Sequence, residues 1–314
     1  MKVLITGASG FSGRYLVDYL KKEALKKGQD IGISGLYRSD KFFKDDSVEY
    51  LQADICDSSR VSDVISEILP DFIIHLAGGR IGSLDSLFHT NVSGTVNLLD
   101  AVRENCDKKS RFLYVSSSAV YGYAGDEPIS EETPLRPVGE YGITKAAAEM
   151  AAISYSIKYG MNISVVRPFN LLGPGQDVSF VTGRIISQVS EILKGKRDSL
   201  SLYSTDSCRD FVDVRDVVSA YWNIISCPEF ETICKGRIFN AGSGRSTSIA
   251  LVISVLEEIT GKEITVNLPD AIKPEIIPNQ ISDNKKISDN IGWSPKYSLK
   301  EALSDMLKYC ENKV

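Results

Sequence analysis

The run Tyr141-Gly142-Ile143-Thr144-Lys145 sets a phenol and an ammonium four residues apart. On a helix that spacing is one face. A free phenol titrates near ~10 and transfers protons poorly at neutral pH. An adjacent ammonium stabilises the phenolate and draws that value down, which suits the pair to exchange a proton with a substrate oxygen. Upstream, Val115-Ser116-Ser117-Ser118-Ala119-Val120-Tyr121-Gly122 opens from an apolar strand pattern into three hydroxyls. A hydroxyl there can hydrogen-bond a carbonyl oxygen as it gains charge. Near the start, residues 3–6 are an apolar strand pattern followed by Gly7-Ala8-Ser9-Gly10-Phe11-Ser12-Gly13. Gly7 permits a sharp turn, Gly10 a close backbone approach to a pyrophosphate, and Gly13 close helix–sheet packing, with the helix N-terminus donating to the phosphates. The spacing is G-x-x-G-x-x-G rather than G-x-G-x-x-G. Each motif alone is weak. In this order they point to carbonyl–alcohol redox chemistry with a bound dinucleotide.

The second strand pattern selects the dinucleotide. An NAD site places Asp or Glu at its end to accept from the ribose hydroxyls. Here the strand closes Gly35-Leu36-Tyr37-Arg38-Ser39. The carboxylate is missing, and Arg38 and Ser39 suit a 2′-phosphate. NADP(H) is therefore favoured and NAD(H) is the alternative; a solvated surface Arg38 is the plain reading. Asp54, after the third strand, either accepts from the adenine amino group or caps the next helix. Leu76-Ala77-Gly78 ends the fourth strand, under the nicotinamide-side ribose and phosphate. His75 reads as a packed core residue, and Lys145 is also placed to hold the nicotinamide ribose.

These residues need a scaffold, and the pattern supplies one. Strands are expected over 2–6, 31–37, 48–53, 72–77, 112–116, 163–167 and 237–240. Helices are expected over 12–27, 58–69, 86–105, 142–159, 181–194, 212–226, 248–260 and 299–311. Strands separated by helix-length segments are βαβ units and imply a parallel sheet. The fold class is α/β, a Rossmann-like doubly wound parallel sheet with a smaller C-terminal α/β substrate lobe. The expected division is a dinucleotide-binding domain over 1–170, with 209–242 returning to it, and a substrate domain over 171–208 and 243–314.

Composition bounds the alternatives. Of 314 residues, 36 are Lys or Arg and 41 Asp or Glu, a net charge of −5. That balance does not supply the clustered positive charge a nucleic-acid surface needs. At 43% hydrophobic the chain can bury a sizeable core. No apolar run approaches the roughly 20 residues that span a bilayer, and the first residues turn glycine-rich too soon for a signal peptide. Six scattered Cys and two His lack metal-ligand spacing, so no metal is expected and the thiols read as reduced, in a cytoplasmic protein.

The chain resembles the extended short-chain dehydrogenase/reductases, the NAD(P)-dependent nucleotide-sugar epimerases, dehydratases and reductases. The resemblance spans essentially the whole length. Besides the motifs above it includes His75-Leu76-Ala77, Asn91-Val92-Ser93-Gly94-Thr95, Arg167-Pro168-Phe169-Asn170 and Arg209-Asp210-Phe211-Val212-Asp213-Val214. Within the family the chain is most similar to GDP-4-keto-6-deoxymannose reductases, through Gly173-Pro174-Gly175-Gln176, Phe180-Val181-Thr182 and Ala220-Tyr221-Trp222. The resemblance implies Tyr141 as proton donor, Lys145 as its modulator and Ser117 as the carbonyl-binding hydroxyl, with Ser116 or Ser118 as alternatives. It implies cofactor contacts from Gly7, Ser9, Gly10, Phe11, Ser12 and Gly13, from Arg38, Ser39, Asp54 and Ile55, from Leu76, Ala77 and Gly78, and from Val115, Tyr141, Lys145, Pro168 and Asn170. A nucleotide-diphosphate sugar would meet Ser117, Ser118, Asn170, Val181, Arg184, Arg209 and Lys273, with Arg209 on the diphosphate. The plain alternative for Arg209 is a surface pair with Asp210. Relatives often carry Arg-Pro at the place of Lys273-Pro274; lysine keeps the charge and loses the fork. A homodimer through helices 86–105 and 142–159 is also implied.

Position 119 narrows the reaction. Dehydrating or decarboxylating relatives carry an acidic residue near it, and fucose-forming epimerase-reductases a Cys; here it is Ala119. Chemistry at one carbon remains: reduction of a 4-keto group by NADPH, with an NAD-dependent 4-epimerase as the alternative. A non-catalytic dinucleotide-binding regulatory subunit is a third, remote reading.

Overall fold

The computed structural model describes residues 1–38, 45–269 and 276–312. Seven strands form one parallel sheet: β1 (Lys2–Thr6), β2 (Gly32–Tyr37), β3 (Val48–Gln52), β4 (Phe72–His75), β5 (Arg111–Val115), β6 (Asn162–Pro168) and β7 (Ile238–Ala241). Their spatial order is β3-β2-β1-β4-β5-β6-β7. The reversal between β1 and β4 is the topological switch of a doubly wound sheet, where a crevice opens beyond the strand ends.

Strand residues alternate between two cores, as the pleat demands. Val3 and Ile5 pack with helices α1 (Phe11–Lys27) and, later in the chain, Val214–Ile225. Leu4 packs on the other side with α2 (Ser58–Ile68), α3 (Gly94–Asn105) and α4 (Gly139–Tyr159). All three strand residues are fully buried, each contributing about 1.5–3 kcal/mol. A separate cluster joins Leu172 and Phe211 to Ile185, Val189, Val252, Leu256, Leu303 and Met306, from helices Val181–Leu193, Ile249–Thr260 and Leu299–Glu311. Among the described residues the cysteines form no disulfide, and no helix is long and apolar enough to cross a membrane.

Two expected helices are built differently. The 86–105 segment starts as a short turn, Leu84–Leu87, widens into a π-helical stretch, Phe88–Ser93, and only then becomes α3. The wider turn carries Asn91, whose side chain makes three hydrogen bonds that a regular helix would have to redirect. The 212–226 helix begins later, at Val214. Phe211–Asp213 is a strand paired in parallel with Asn170–Leu172, and the Asp213 carboxylate caps the helix by accepting from Arg215 N at 2.8 Å. A local apolar pattern cannot reveal a pairing partner some forty residues away in sequence. The two-residue ladders Leu200–Ser201 with Val266–Asn267 and Cys208–Arg209 with Thr247–Ser248 escape the sequence for the same reason.

Beneath the strand ends lies a buried ion pair. Arg167 of β6 meets Glu149 of α4 through both carboxylate oxygens, and each side chain is 3% exposed. Arg167 Nη1 also donates to the Tyr121 hydroxyl at 2.6 Å, which donates to Asn240 Oδ1 at 2.7 Å. The network ties α4, β6, β7 and the serine loop together. Glu149→Ala leaves the guanidinium buried without its partner and should destabilise the protein by about 3–5 kcal/mol, read as a fall in the urea midpoint at unchanged slope. A loss no larger than an exposed ion pair gives would show that the site rests on other contacts.

Candidate active site

Two adjoining cavities run along the C-terminal ends of the strands. One, of about 580 Å³, is lined by the glycine loop and the ends of β2, β3 and β4. The other, of about 520 Å³, is lined by the start of α1, the serine loop, α4 and residues after β6. Gly7, Gly10, Leu76 and Gly78 line both, so the two form one trench at the β1–β4 switch.

The glycine loop is tight. Gly10 N donates to Gly7 O at 2.9 Å, and a Cβ at Gly13 would lie 2.2 Å from that same carbonyl oxygen. Only glycine fits there. α1 starts with no side-chain cap and no acidic residue in its first turn, which leaves N–H groups to meet an anion.

A buried polar ladder holds the next loop. Ala77 N donates to Thr6 Oγ1 at 3.1 Å, and Thr6 Oγ1 lies 2.6 Å from His75 Nδ1. His75 Nε2 lies 3.0 Å from Thr95 Oγ1, whose proton goes to Asn91 O. Burial, seconded by the Lys145 charge, depresses His75 to about 3, so it is neutral. With the Thr95 proton committed, Nε2 donates and Nδ1 accepts from Thr6. Asn91 then clamps Gly79 from both sides and donates to Thr144 Oγ1 at 2.9 Å, one residue before Lys145. His75 is a core residue that fixes the loop, as its buried position in the strand pattern suggests.

Across the trench, α4 lies directly on the serine loop. A Cβ at Gly142 would come within 2.7 Å of Ala119 O, so glycine after Tyr141 lets the helix bring its phenol to the loop. The three serines separate in this geometry. Ser118 Oγ donates to Gln280 Oε1 at 3.1 Å, while Gln280 Nε2 donates back to Ser118 O. Ser116 Oγ is buried without a partner. Ser117 accepts from Ala119 N at 3.2 Å and is the hydroxyl that meets Tyr141.

Electrostatics around the pair differ from the sequence expectation. Burial pushes Tyr141 above the usual phenol value, opposed by the Ser117 hydroxyl and by Arg80. Lys145 Nζ donates instead to Val115 O at 2.5 Å and sits 4.5 Å from the centre of the Tyr114 ring. Burial lowers Lys145 to about 7, with the Glu149 carboxylate pulling the other way.

The trench gathers nearly every expected residue. Ser9, Arg38, Asp54, Ile55 and Ala77 line the first cavity. Phe11, Ser12, Gly13, Val115, Ser117, Ser118, Tyr141, Lys145, Pro168, Asn170, Val181 and Arg209 line the second. Asp54 also accepts from Cys56 N at 2.9 Å. Arg184 does not line either described cavity; its Nε points back to Val178 O at 3.4 Å. It lies one helical turn past Phe180, and its side chain closes that turn. Ser39 and Lys273 lie outside the described residues. Asp210, the surface partner that the plain alternative gives Arg209, is not at the surface: it is fully buried and accepts from Ser243 N, Gly244 N and Ser282 N. That carboxylate anchors the segment carrying Arg209.

Arg80, Tyr221 and Gln280 line the second cavity without having been expected. Gln280 and Tyr221 arrive from distant segments and carry no local signal. Arg80 follows Leu76-Ala77-Gly78-Gly79, so its position just past the fourth strand is the one clue the sequence offered.

The residues present fit a dinucleotide. The uncapped helix start, a glycine loop with no room for a side chain, and the buried atoms Ser116 Oγ and Asn170 Nδ2 in the second cavity suit a polar ligand that accepts and donates hydrogen bonds.

Comparison with known proteins agrees. The family model described as GDP-mannose 4,6 dehydratase matches residues 4–306. GDP-6-deoxy-D-mannose reductase of Pseudomonas aeruginosa is 30% identical over 322 residues, covering 100% of this chain and 98% of the relative. The structure of RMD from Pseudomonas aeruginosa complexed with NADPH superposes with a TM-score of 0.83 at 29% identity, covering 100% of this chain and 98% of that one. UDP-glucuronic acid 4-epimerase from Bacillus cereus, in complex with UDP-glucuronic acid and NAD, gives 0.84 at 25% identity with both chains fully covered. The chain belongs to the GDP-mannose 4,6-dehydratase-like extended short-chain dehydrogenase/reductases, a family of NAD(P)-dependent enzymes that act on nucleotide sugars.

Proposed function

We propose that this enzyme reduces the 4-keto group of a nucleotide-linked 4-keto-6-deoxyhexose, of the GDP-6-deoxymannose or talose type, with NADPH. One observation carries the reading. Among the described residues, the cavity around Tyr141 is lined by no Asp, Glu, His or Cys, and residue 119 is Ala119. Removing water across C5–C6 requires a base for a carbon-bound proton and an acid for the departing hydroxyl. Reduction at one carbon requires only one proton donor, and the place of Tyr141 in this cavity beside the Ser117 hydroxyl supports it in that role.

When bound, the reduced nicotinamide would supply the hydride. Ser117 donates to the carbonyl oxygen and stabilises the charge growing on it. Tyr141 delivers its proton to that oxygen, with the Ser117 hydroxyl already beside it. Lys145, near 7 and held by Val115 O, is suited to return a proton to the phenolate at neutral pH. Gly7, Gly10 and Gly13 would hold the pyrophosphate, Asp54 and Ile55 the adenine, and Leu76, Ala77 and Gly78 the nicotinamide half. Arg38 lines the first cavity where β2 ends without a carboxylate, which supports NADPH over NADH. Arg209 holds the sugar-nucleotide diphosphate. The P. aeruginosa reductase supports the same direction.

The 4-epimerase reading has its own support in the B. cereus relative with NAD. It predicts isomerisation of a UDP-hexose with no added cofactor. The reductase reading predicts NADPH oxidation with a GDP-4-keto-6-deoxyhexose and none of that isomerisation; the opposite result rejects it. Under the reductase reading, Tyr141→Phe lowers kcat by about 10²–10⁴-fold while leaving NADPH affinity near wild type. In cofactor titrations, Arg38→Ala weakens NADPH about ten- to hundredfold, the worth of a charge-assisted hydrogen bond, and leaves NADH unchanged; equal weakening of both removes the 2′-phosphate assignment.

We further propose a homodimer through α4 and the 86–105 segment. Ile143, Met150 and Ile157 recur every seven residues on one face of α4 and are 38%, 68% and 78% exposed. Light scattering should give twice the chain mass, and Met150→Glu with Ile157→Glu should give the monomer; a wild-type monomer at micromolar concentration rejects the interface.

A further inference from the structure

The loop after β4 sends a cation across the trench. Arg80 follows Gly78-Gly79 and reaches the segment that leads into the helix Val181–Leu193. Its Nη2 donates to Ser179 Oγ at 2.7 Å, and its guanidinium carbon lies 4.3 Å from the centre of the Phe180 ring. The Asp177 carboxylate feels the same positive charge. Arg80, Phe180 and Tyr141 all line the sugar-side cavity.

We propose that Arg80 is a positioning residue for proton delivery: it clasps the 177–180 segment at the sugar-side cavity and sets a fixed positive charge against the Tyr141 phenol. This rests on the reading of Tyr141 as the proton donor. The clasp uses the shape of arginine. A planar guanidinium can stack on Phe180 while its edge donates to Ser179; an ammonium keeps the charge but cannot do both. The two roles are therefore separable by substitution.

The charge has few competitors at the phenol. Facing Tyr141 are the Ser117 hydroxyl from the serine loop, Lys145 one turn along α4, and the buried phenols Tyr114 from β5 and Tyr221 from the helix Val214–Ile225. Burial raises both of those phenols and keeps them neutral. Lys145 faces Val115 O, Tyr114 and Glu149, and Arg209 lines the same cavity. Arg80 lines the same cavity as Tyr141, and its charge joins the Ser117 hydroxyl in opposing burial at the phenol. Removing it leaves burial less opposed, so the phenol should ionise at higher pH. A proton donor works only while protonated, and the alkaline fall in kcat/KM should move up with it.

The test reads the phenol directly. Tyrosinate absorbance is titrated in the otherwise wild-type protein and in its Tyr141→Phe counterpart, and the difference isolates Tyr141. In Arg80→Ala this ionisation should rise by about one pH unit, the scale of a nearby charge. In Arg80→Lys it should stay near wild type. Both variants, and Phe180→Leu, should raise KM for the sugar nucleotide in NADPH oxidation, since each breaks the clasp. Arg80→Ala with an unmoved ionisation overturns the inference, as does an equal shift in Arg80→Ala and Arg80→Lys. An unchanged KM in all three variants removes the clasp. The titration needs no turnover: a wild type that oxidises no NADPH would sink the reductase reading while the Arg80 result still stands or falls by itself.

Discussion

The site depends on one close approach. Helix α4 lies against the serine loop with no side chain between them at Gly142, whose absent Cβ would sit 2.7 Å from the Ala119 carbonyl oxygen. That contact brings Tyr141 to Ser117 and, one turn on, seats Lys145 Nζ against the Val115 carbonyl at 2.5 Å. The strand end, the loop and the helix are thereby locked to one another, and the phenol, the hydroxyl and the ammonium inherit their positions from that lock.

Such a lock places charge in the interior, where an unpaired ion is costly. Tyr141, Lys145 and Glu149 fall on one stripe of α4, spaced by four. Glu149 meets Arg167 with nearly no solvent access and also acts on Lys145. Burial lowers the lysine to about 7 and the carboxylate pulls the other way. The buried ion pair and the Tyr141–Lys145 pair are thus parts of one electrostatic arrangement on a single helix.

The segments that follow β6 are held by carboxylates as well as by apolar contacts. Asp210 is fully buried and gathers backbone donors from residues 243, 244 and 282. Asp213 caps the helix Val214–Ile225 and pairs with Arg215, which reaches Asp305 at 2.8 Å. These fixed points set Arg209 and the 170–172 segment against the trench.

The sequence by itself determined what repeats locally or sits at fixed spacing. Apolar runs alternating with helical patterns specify the parallel sheet, because burial on both faces demands them. The glycine loop, the missing carboxylate after Tyr37 and the four-residue step from Tyr141 to Lys145 specify the trench, because each follows from the geometry of one turn or one helix. Tertiary structure decided what depends on distant partners. It separated three adjacent serines by giving one to Gln280, leaving one unpartnered and turning Ser117 to the phenol. It replaced the start of an expected helix at 212–213 with a strand. It also brought Arg80 into the cavity with Tyr141, where its charge and the Ser117 hydroxyl oppose burial, because burial and long-range contact have no periodicity in the chain.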